Sequence, residues 1–259
     1  MARFTVTAMA TVVEPPPGVV KRASGRSAGG RPLPPALRAT LAASRPMFGR
    51  AVRRTLDGRY WDSDDPSRGR IMRADVKRIL ARTWREFDVL IPGARLEGLP
   101  NRGSRQNVML GVLSLALHRA LLAEGIERRY AAALFTDAAW QVYRSWIRLP
   151  RALARMVSRD DARRMELMLR MFLRYPFARP GYEWRARREP DAFEIDFTRC
   201  PVQEYMRAQG ESDFMLNSWC TLDFALAQAM VPGGRYERRH TLSAGDPVCD
   251  MRWQAAPRS

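Results

Sequence analysis

The residues in this chain best suited to chemistry are three cysteines and the acids and bases near them. Cys200 stands directly before Pro201, where a helix is expected to start. A helix N-terminus lowers a thiol's pKa from its ordinary value of about 8.5 and favours the nucleophilic thiolate. Cys220 lies three residues before Asp223 in the next predicted helix, so the two share a face. Cys249 falls in the last predicted strand with Asp250 beside it. Neighbours in a strand point to opposite sides, so Asp250 cannot act directly on a group held by Cys249. His240 is read as a strand residue with alternating neighbours. Together these types permit thiol attack on an electrophilic carbon, with a carboxylate moving the proton. A plainer reading stands beside each. Free cysteine is among the most buried residue types and usually packs as a small hydrophobe, and a lone strand histidine is commonly a hydrogen-bonded surface residue. Three cysteines and a histidine also match a zinc set by type, but they come from four separate elements, whereas zinc sites usually contain a close pair. No metal and no cofactor are expected.

These residues must be positioned by the elements around them. Ala192–Phe197, AFEIDF, alternates apolar and acidic residues as a half-buried strand does, and leads into Cys200. PVQEYMRAQG follows as a short helix that Pro201 opens and Gly210 stops. Trp219–Met230 reads as another helix, closed by Pro232, Gly233 and Gly234. Tyr236–Ser243 and Val248–Trp253 read as two strands joined by an AGDP turn. Upstream, the spacing predicts helices over Pro35–Leu56, Arg70–Leu90, Ser104–Ala123 and Glu127–Ile147. Pro150 ends the last of these, and a further helix is capped by Ser158. Ser104–Ala123 is apolar on nearly every side, as a central buried helix would be. The fold class is α+β: a helical body followed by a small C-terminal antiparallel sheet with short helices. Three regions are expected: a flexible Pro- and Gly-rich tail over 1–35, a helical N-terminal extension over 36–100, and an α+β domain over 101–259.

Composition narrows the function classes. With 259 residues, 46% hydrophobic and 27% charged, the chain can bury a core without disulfides or metals. The longest uncharged stretch of the helical middle, Gln106–His118, is shorter than the ~20 residues of a bilayer span, so no membrane partner is expected. Three cysteines cannot all pair and none forms CxxC, which suggests reduced thiols and a cytoplasmic setting. The net charge is +17, but 42 of the 44 basic residues are arginines spread over every helix, without an aromatic-basic motif. Specific nucleic-acid binding is therefore not expected. Residues 191–259 carry 7 basic and 10 acidic side chains and hold all three cysteines, so the site is sought there. The expected partner is a small-molecule substrate, and nothing in the sequence specifies an oligomeric state.

The cysteines also sit in a recognisable frame. FEIDFTRCPVQEYMRAQGE, then WCTLDFALAQAM, then RYERRHTLSAGDPVCDMRW resembles the L-2-amino-thiazoline-4-carboxylic acid hydrolase family. A strand-ending Thr-Arg-Cys-Pro element is matched by Thr198, Arg199, Cys200 and Pro201. A Cys-x-x-Asp element is matched by Cys220 and Asp223. A Gly-x-x-x-Cys-Asp-Phe element is matched by Gly245, Cys249 and Asp250, with Met251 in place of the Phe. The resemblance spans about residues 105–253 and is strongest over the last 60. It implies hydrolysis of a small cyclic amidine or amide by thiazoline-type ring opening at a cysteine-centred site. Cys200, Cys220, Asp223 and Cys249 would be catalytic, with Cys200 the preferred nucleophile and Cys249 next. Arg199 would pair with a substrate carboxylate, with His240 and Asp250 as further substrate-binding residues. A fainter similarity to 4-vinyl-reductase-type domains implies the alternative, a non-catalytic small-ligand-binding or redox-sensing domain.

Overall fold

The computed structural model describes residues 33–256. The tail expected over 1–35 lies outside the described residues except for its last three, of which Pro35 already opens a helix. Helix α1 spans Pro35–Leu56, α2 Arg73–Leu90, α3 Arg102–Ala123 and α4 Arg128–Trp146. Each starts where the chain supplies a fixed φ or a side-chain acceptor. Proline opens α1, Asn101 Oδ1 accepts from the Ser104 amide at 2.9 Å to cap α3, and Glu127 accepts from the Tyr130 amide to cap α4. The all-round apolar α3 is buried because α2, α4 and α7 (Pro201–Ala208) pack around it. It is long and apolar enough to cross a membrane by length and composition, and it forms the interior of the helical body.

Two helices follow with differences from the sequence expectation. Pro150 does not end α4. It sits in the first turn of a separate helix, α5 (Arg148–Val157), where a missing N–H costs little. Helix α6 spans Asp161–Arg174, and its cap is Asp160, which accepts from the Ala162 amide. Ser158 lies two residues earlier and accepts from the Asp160 amide at 3.1 Å, so it supports the cap instead of forming it.

After α6 the chain builds one antiparallel sheet, ordered β1-β2-β4-β3. Strand β1 is Glu183–Arg188, β2 Phe193–Arg199, β3 Arg235–Arg238 and β4 Cys249–Gln254. β1 was not foreseen, because EWRARR has one half-buried position and shows no apolar alternation. Between β2 and β3 run α7, α8 (Ser212–Asn217) and α9 (Leu222–Met230). The β2–β4 register pairs Phe193 with Trp253, Ile195 with Met251 and Phe197 with Cys249, so these six residues share the inner face. The outer face carries the intervening charges: Arg187 reaches Asp196 at 2.7 Å, and Arg252 bonds Glu194 and Asp191. β3 stops at Arg238. His240 is therefore not in a strand, and Thr241 instead caps a 3₁₀ turn over Leu242–Ala244.

The apolar interior falls into two clusters. One is built by α1–α4, α7 and α8, the other by α5, α6, α9 and the sheet, and Cys200 packs against both. The turn from α9 into β3 runs against α9 itself. A Cβ on Gly234 would stand 2.2 Å from the Ala227 carbonyl oxygen, so only glycine fits there.

Candidate functional site

Where the two clusters meet lies a cavity of about 140 Å³. Its walls follow from the elements just described. The inner sheet face contributes Ile195, Phe197, Cys249, Met251 and Trp253. α4 and the residue after it contribute Tyr143, Trp146 and Ile147, and α6 with the segment beyond it contributes Leu169, Phe172, Leu173 and Phe177. Cys200, as the N-cap residue of α7, closes one side. The remaining side is polar. A 3₁₀ turn over Trp219–Thr221 carries Cys220 and runs directly into α9, whose first turn carries Asp223. The last residue of β3, Arg238, and Ser243 of the following turn complete it. Among the lining residues, Asp223 and Arg238 are the charged ones.

Polar contacts on this side are few and long. Asp223 Oδ2 lies 3.8 Å from Arg238 Nη1 and accepts from Tyr236 Oη at 3.4 Å. The Arg238 side chain is only 8% exposed, and its Nη1 has no hydrogen-bond acceptor among the described residues. A buried guanidinium with a free N–H is costly to leave unmade and is suited to an incoming oxyanion. Cys220 Sγ and Ser243 Oγ are 3.4 Å apart. Cys249 Sγ lies 3.4 Å from Thr241 Oγ1 and accepts from the Leu242 amide at 3.2 Å. On the opposite side, Asn107 Nδ2 donates to the buried Tyr182 hydroxyl at 2.8 Å.

Burial sets the protonation states. The Asp223 carboxyl is pushed up to about 6 by burial, with Arg238 and Tyr236 opposing. It is a carboxylate at neutral pH and accepts a proton readily. Burial pushes the Cys220 thiol up to about 11, against the Ser243 hydrogen bond and the Arg238 charge. Cys249 is pushed up for the same reason, against Thr241 and the Leu242 amide. Cys200 is raised furthest, although the amides of Val202 and Gln203 at the start of α7 face it. The helix start expected from the sequence does supply two amides that lower the Cys200 pKa, and desolvation acts against them. All three groups are neutral thiols at pH 7, and any attack by one requires a base.

Of the residues singled out in the sequence, Cys200, Cys220, Asp223 and Cys249 line this one cavity. Arg199, His240 and Asp250 do not. Glu204, in the first turn of α7, takes the Arg199 guanidinium at 2.9 Å and holds it away from the lining. Asp250 points to the outer face, as strand alternation requires, and pins the end of β3. Its Oδ1 accepts from the Arg239 and His240 amides, and its Oδ2 lies 2.8 Å from His240 Nδ1. These two residues are a structural latch on the β3–β4 connection. Among the described residues no group of three or more His, Cys, Asp or Glu is arranged to hold a metal. The arginine that does reach the cavity, Arg238, was passed over in RYERRH. Alternation from the buried Tyr236 was the available signal, since residues two apart in a strand share a face.

Comparison with known proteins gives one result. A family model described as L-2-amino-thiazoline-4-carboxylic acid hydrolase matches residues 112–253. That span holds every cavity-lining residue except Asn107 and Leu110. Searches of curated proteins and of solved structures returned no match.

Proposed function

Because the chain belongs to the L-2-amino-thiazoline-4-carboxylic acid hydrolase family, we propose that it is a hydrolase that opens a thiazoline-type ring of a small substrate in this cavity. The observation that carries the reading is the convergence of Cys220, Asp223 and Arg238 on the polar side of an otherwise apolar cavity. The amidine carbon of such a ring is bonded to nitrogen and sulfur and is electrophilic. Cys220, one helical turn from Asp223, attacks it as Asp223 takes the thiol proton. The ring carbon–sulfur bond breaks, and the proton on Asp223 passes to the departing sulfur. Asp223 then takes a proton from water, which adds to the thiol-bound carbon. The proton of the added hydroxyl passes to the former ring nitrogen, Asp223 returns its proton to the departing Cys220 sulfur, and a carbamoyl product is left, for a net consumption of one water. The role given to Cys200 on its helix start passes here to Cys220, because Cys220 has the neighbouring base. Arg238 offers Nη1 to a substrate carboxylate, the part first given to Arg199.

Turnover of 2-amino-thiazoline-4-carboxylate by the wild type and by Cys220→Ser, Cys200→Ser and Cys249→Ser tests this. Near-complete loss in folded Cys220→Ser, with activity retained in the other two, supports the assignment. Equal rates in all three variants and the wild type overturn it. The high thiol pKa values favour a second reading, a ligand-binding domain without turnover. A thiazoline carboxylate that raises the melting temperature and is recovered unchanged would select that reading.

A further inference from the structure

Helix α5 presents its apolar side outward. Leu149, Leu153, Met156 and Val157 are exposed by 67%, 43%, 83% and 70%, while Ala154 is the residue buried against the body. At 100° per residue the four exposed side chains fall within one arc of the helix. Beside that arc runs a stripe of arginines. Within α5, Arg148, Arg151 and Arg155 recur at three- and four-residue spacing, Arg151 donating to the Ala229 carbonyl, and the helix contains no acid. Arg148 and Arg155 are exposed and, among the described residues, form no ion pair. The α5 of a second copy would cover the apolar side chains but holds no acid to pair with the arginines. An anionic lipid surface meets both features at once: apolar side chains enter the acyl boundary while arginines stay with the phosphates.

We propose that α5 is a surface-lying membrane helix that docks this protein on anionic bilayers. The expectation of no membrane partner rested on the shortness of the uncharged stretch Gln106–His118, and a helix lying in the interface needs no spanning segment. Trp146 and Ile147, the residues immediately before α5, line the cavity, so docking places the bilayer beside a cavity wall.

Co-sedimentation of the full chain with vesicles of phosphatidylcholine alone, and of phosphatidylcholine with phosphatidylglycerol, tests this. Binding is expected to the anionic vesicles only and to weaken steeply as salt rises. Leu153→Asp/Met156→Asp alters two exposed positions and is expected to lower vesicle affinity by about tenfold or more with an unchanged melting temperature. Arg148→Glu/Arg155→Glu is expected to abolish the anionic preference. Arg185→Glu/Arg235→Glu changes net charge equally on the exposed sheet strands and is expected to leave binding intact. Equal loss in that control, or full binding by the Leu153/Met156 variant, assigns the attraction to net charge and overturns the proposal. So does a failure of the wild type to bind any vesicle. A dimer in solution that the Leu153/Met156 variant dissociates overturns it in favour of a subunit interface.

Discussion

Replacing Asp223 by Asn removes a charge that the fold holds at a cost. In the native state burial raises this carboxyl from an ordinary 3.8 to about 6. The folded protein therefore holds the proton more tightly than the unfolded chain does. Between those two values it binds more protons, and stability falls as pH rises from about 3.8 through about 6. Above pH 7 the full difference is present, about 3 kcal/mol at 1.36 kcal/mol per pKa unit. Asn has the shape of the protonated acid and still faces Tyr236, so Asp223→Asn is expected to gain roughly that amount at pH 7.5. For a chain of this size the gain corresponds to roughly 5–10 °C in Tm. At pH 4, where the native carboxyl is already protonated, the gain shrinks to about 0.5 kcal/mol. Urea unfolding of both proteins at pH 7.5 and pH 4 measures it, and the difference between them cancels every other titrating group. The same variant is expected to lose turnover, as a site that trades stability for function would. A variant less stable than wild type at pH 7.5, or a difference independent of pH, refutes the reasoning that Asp223 is a costly buried carboxylate.

Other outcomes follow from the same physical terms. Arg238→Gln removes the positive charge that holds Asp223 down, so the midpoint of the kcat/KM pH profile is expected to move above 6. Cys220 is expected to react with iodoacetamide far more slowly at pH 7.5 than a free thiol, and faster with each step toward pH 11, as mass spectrometry of the labelled protein can follow. His118 is fully buried, stacked on Phe214, and pushed down to about 4 by burial, with no partner on either ring nitrogen among the described residues. The unfolded chain binds the proton first, so stability is lost as pH falls from 6.5 toward 4. His118→Leu should abolish that loss of about 3 kcal/mol in urea titrations. Gly234→Ala drives a Cβ onto the Ala227 carbonyl and is expected to cost about 3 kcal/mol or more in the same assay.

Much of this arrangement was legible because it rests on local chemistry. AFEIDF reads as a half-buried strand from its alternation, and α3 reads as an interior helix because no side of it is polar. The convergence of Cys200, Cys220 and Cys249 was legible only through the resemblance, since three cysteines 20 and 29 residues apart have no local periodicity. Features decided by tertiary contacts were not legible. β1 pairs through its backbone while all its side chains but Trp184 are exposed, so EWRARR carries no strand pattern. Helix α5 was hidden by Pro150, which the structure tolerates in the first turn. For Cys200 the helix start is visible in sequence, while the desolvation that opposes it is not. Arg199 and Arg238 illustrate the same limit: one is captured by Glu204 and the other is folded inward behind Tyr236.

The central claim is that a thiazoline-type ring is hydrolysed in this cavity by a thiol served by Asp223. The most direct test is a single-turnover incubation of excess wild-type protein with 2-amino-thiazoline-4-carboxylate, quenched in time and read by intact-protein mass spectrometry. The account predicts a transient adduct of the substrate's mass on Cys220 that decays to the free thiol as carbamoyl product appears, with no adduct in Cys220→Ser and a slowed one in Asp223→Asn. Product formed at an unchanged rate in Cys220→Ser, without any adduct, would contradict it.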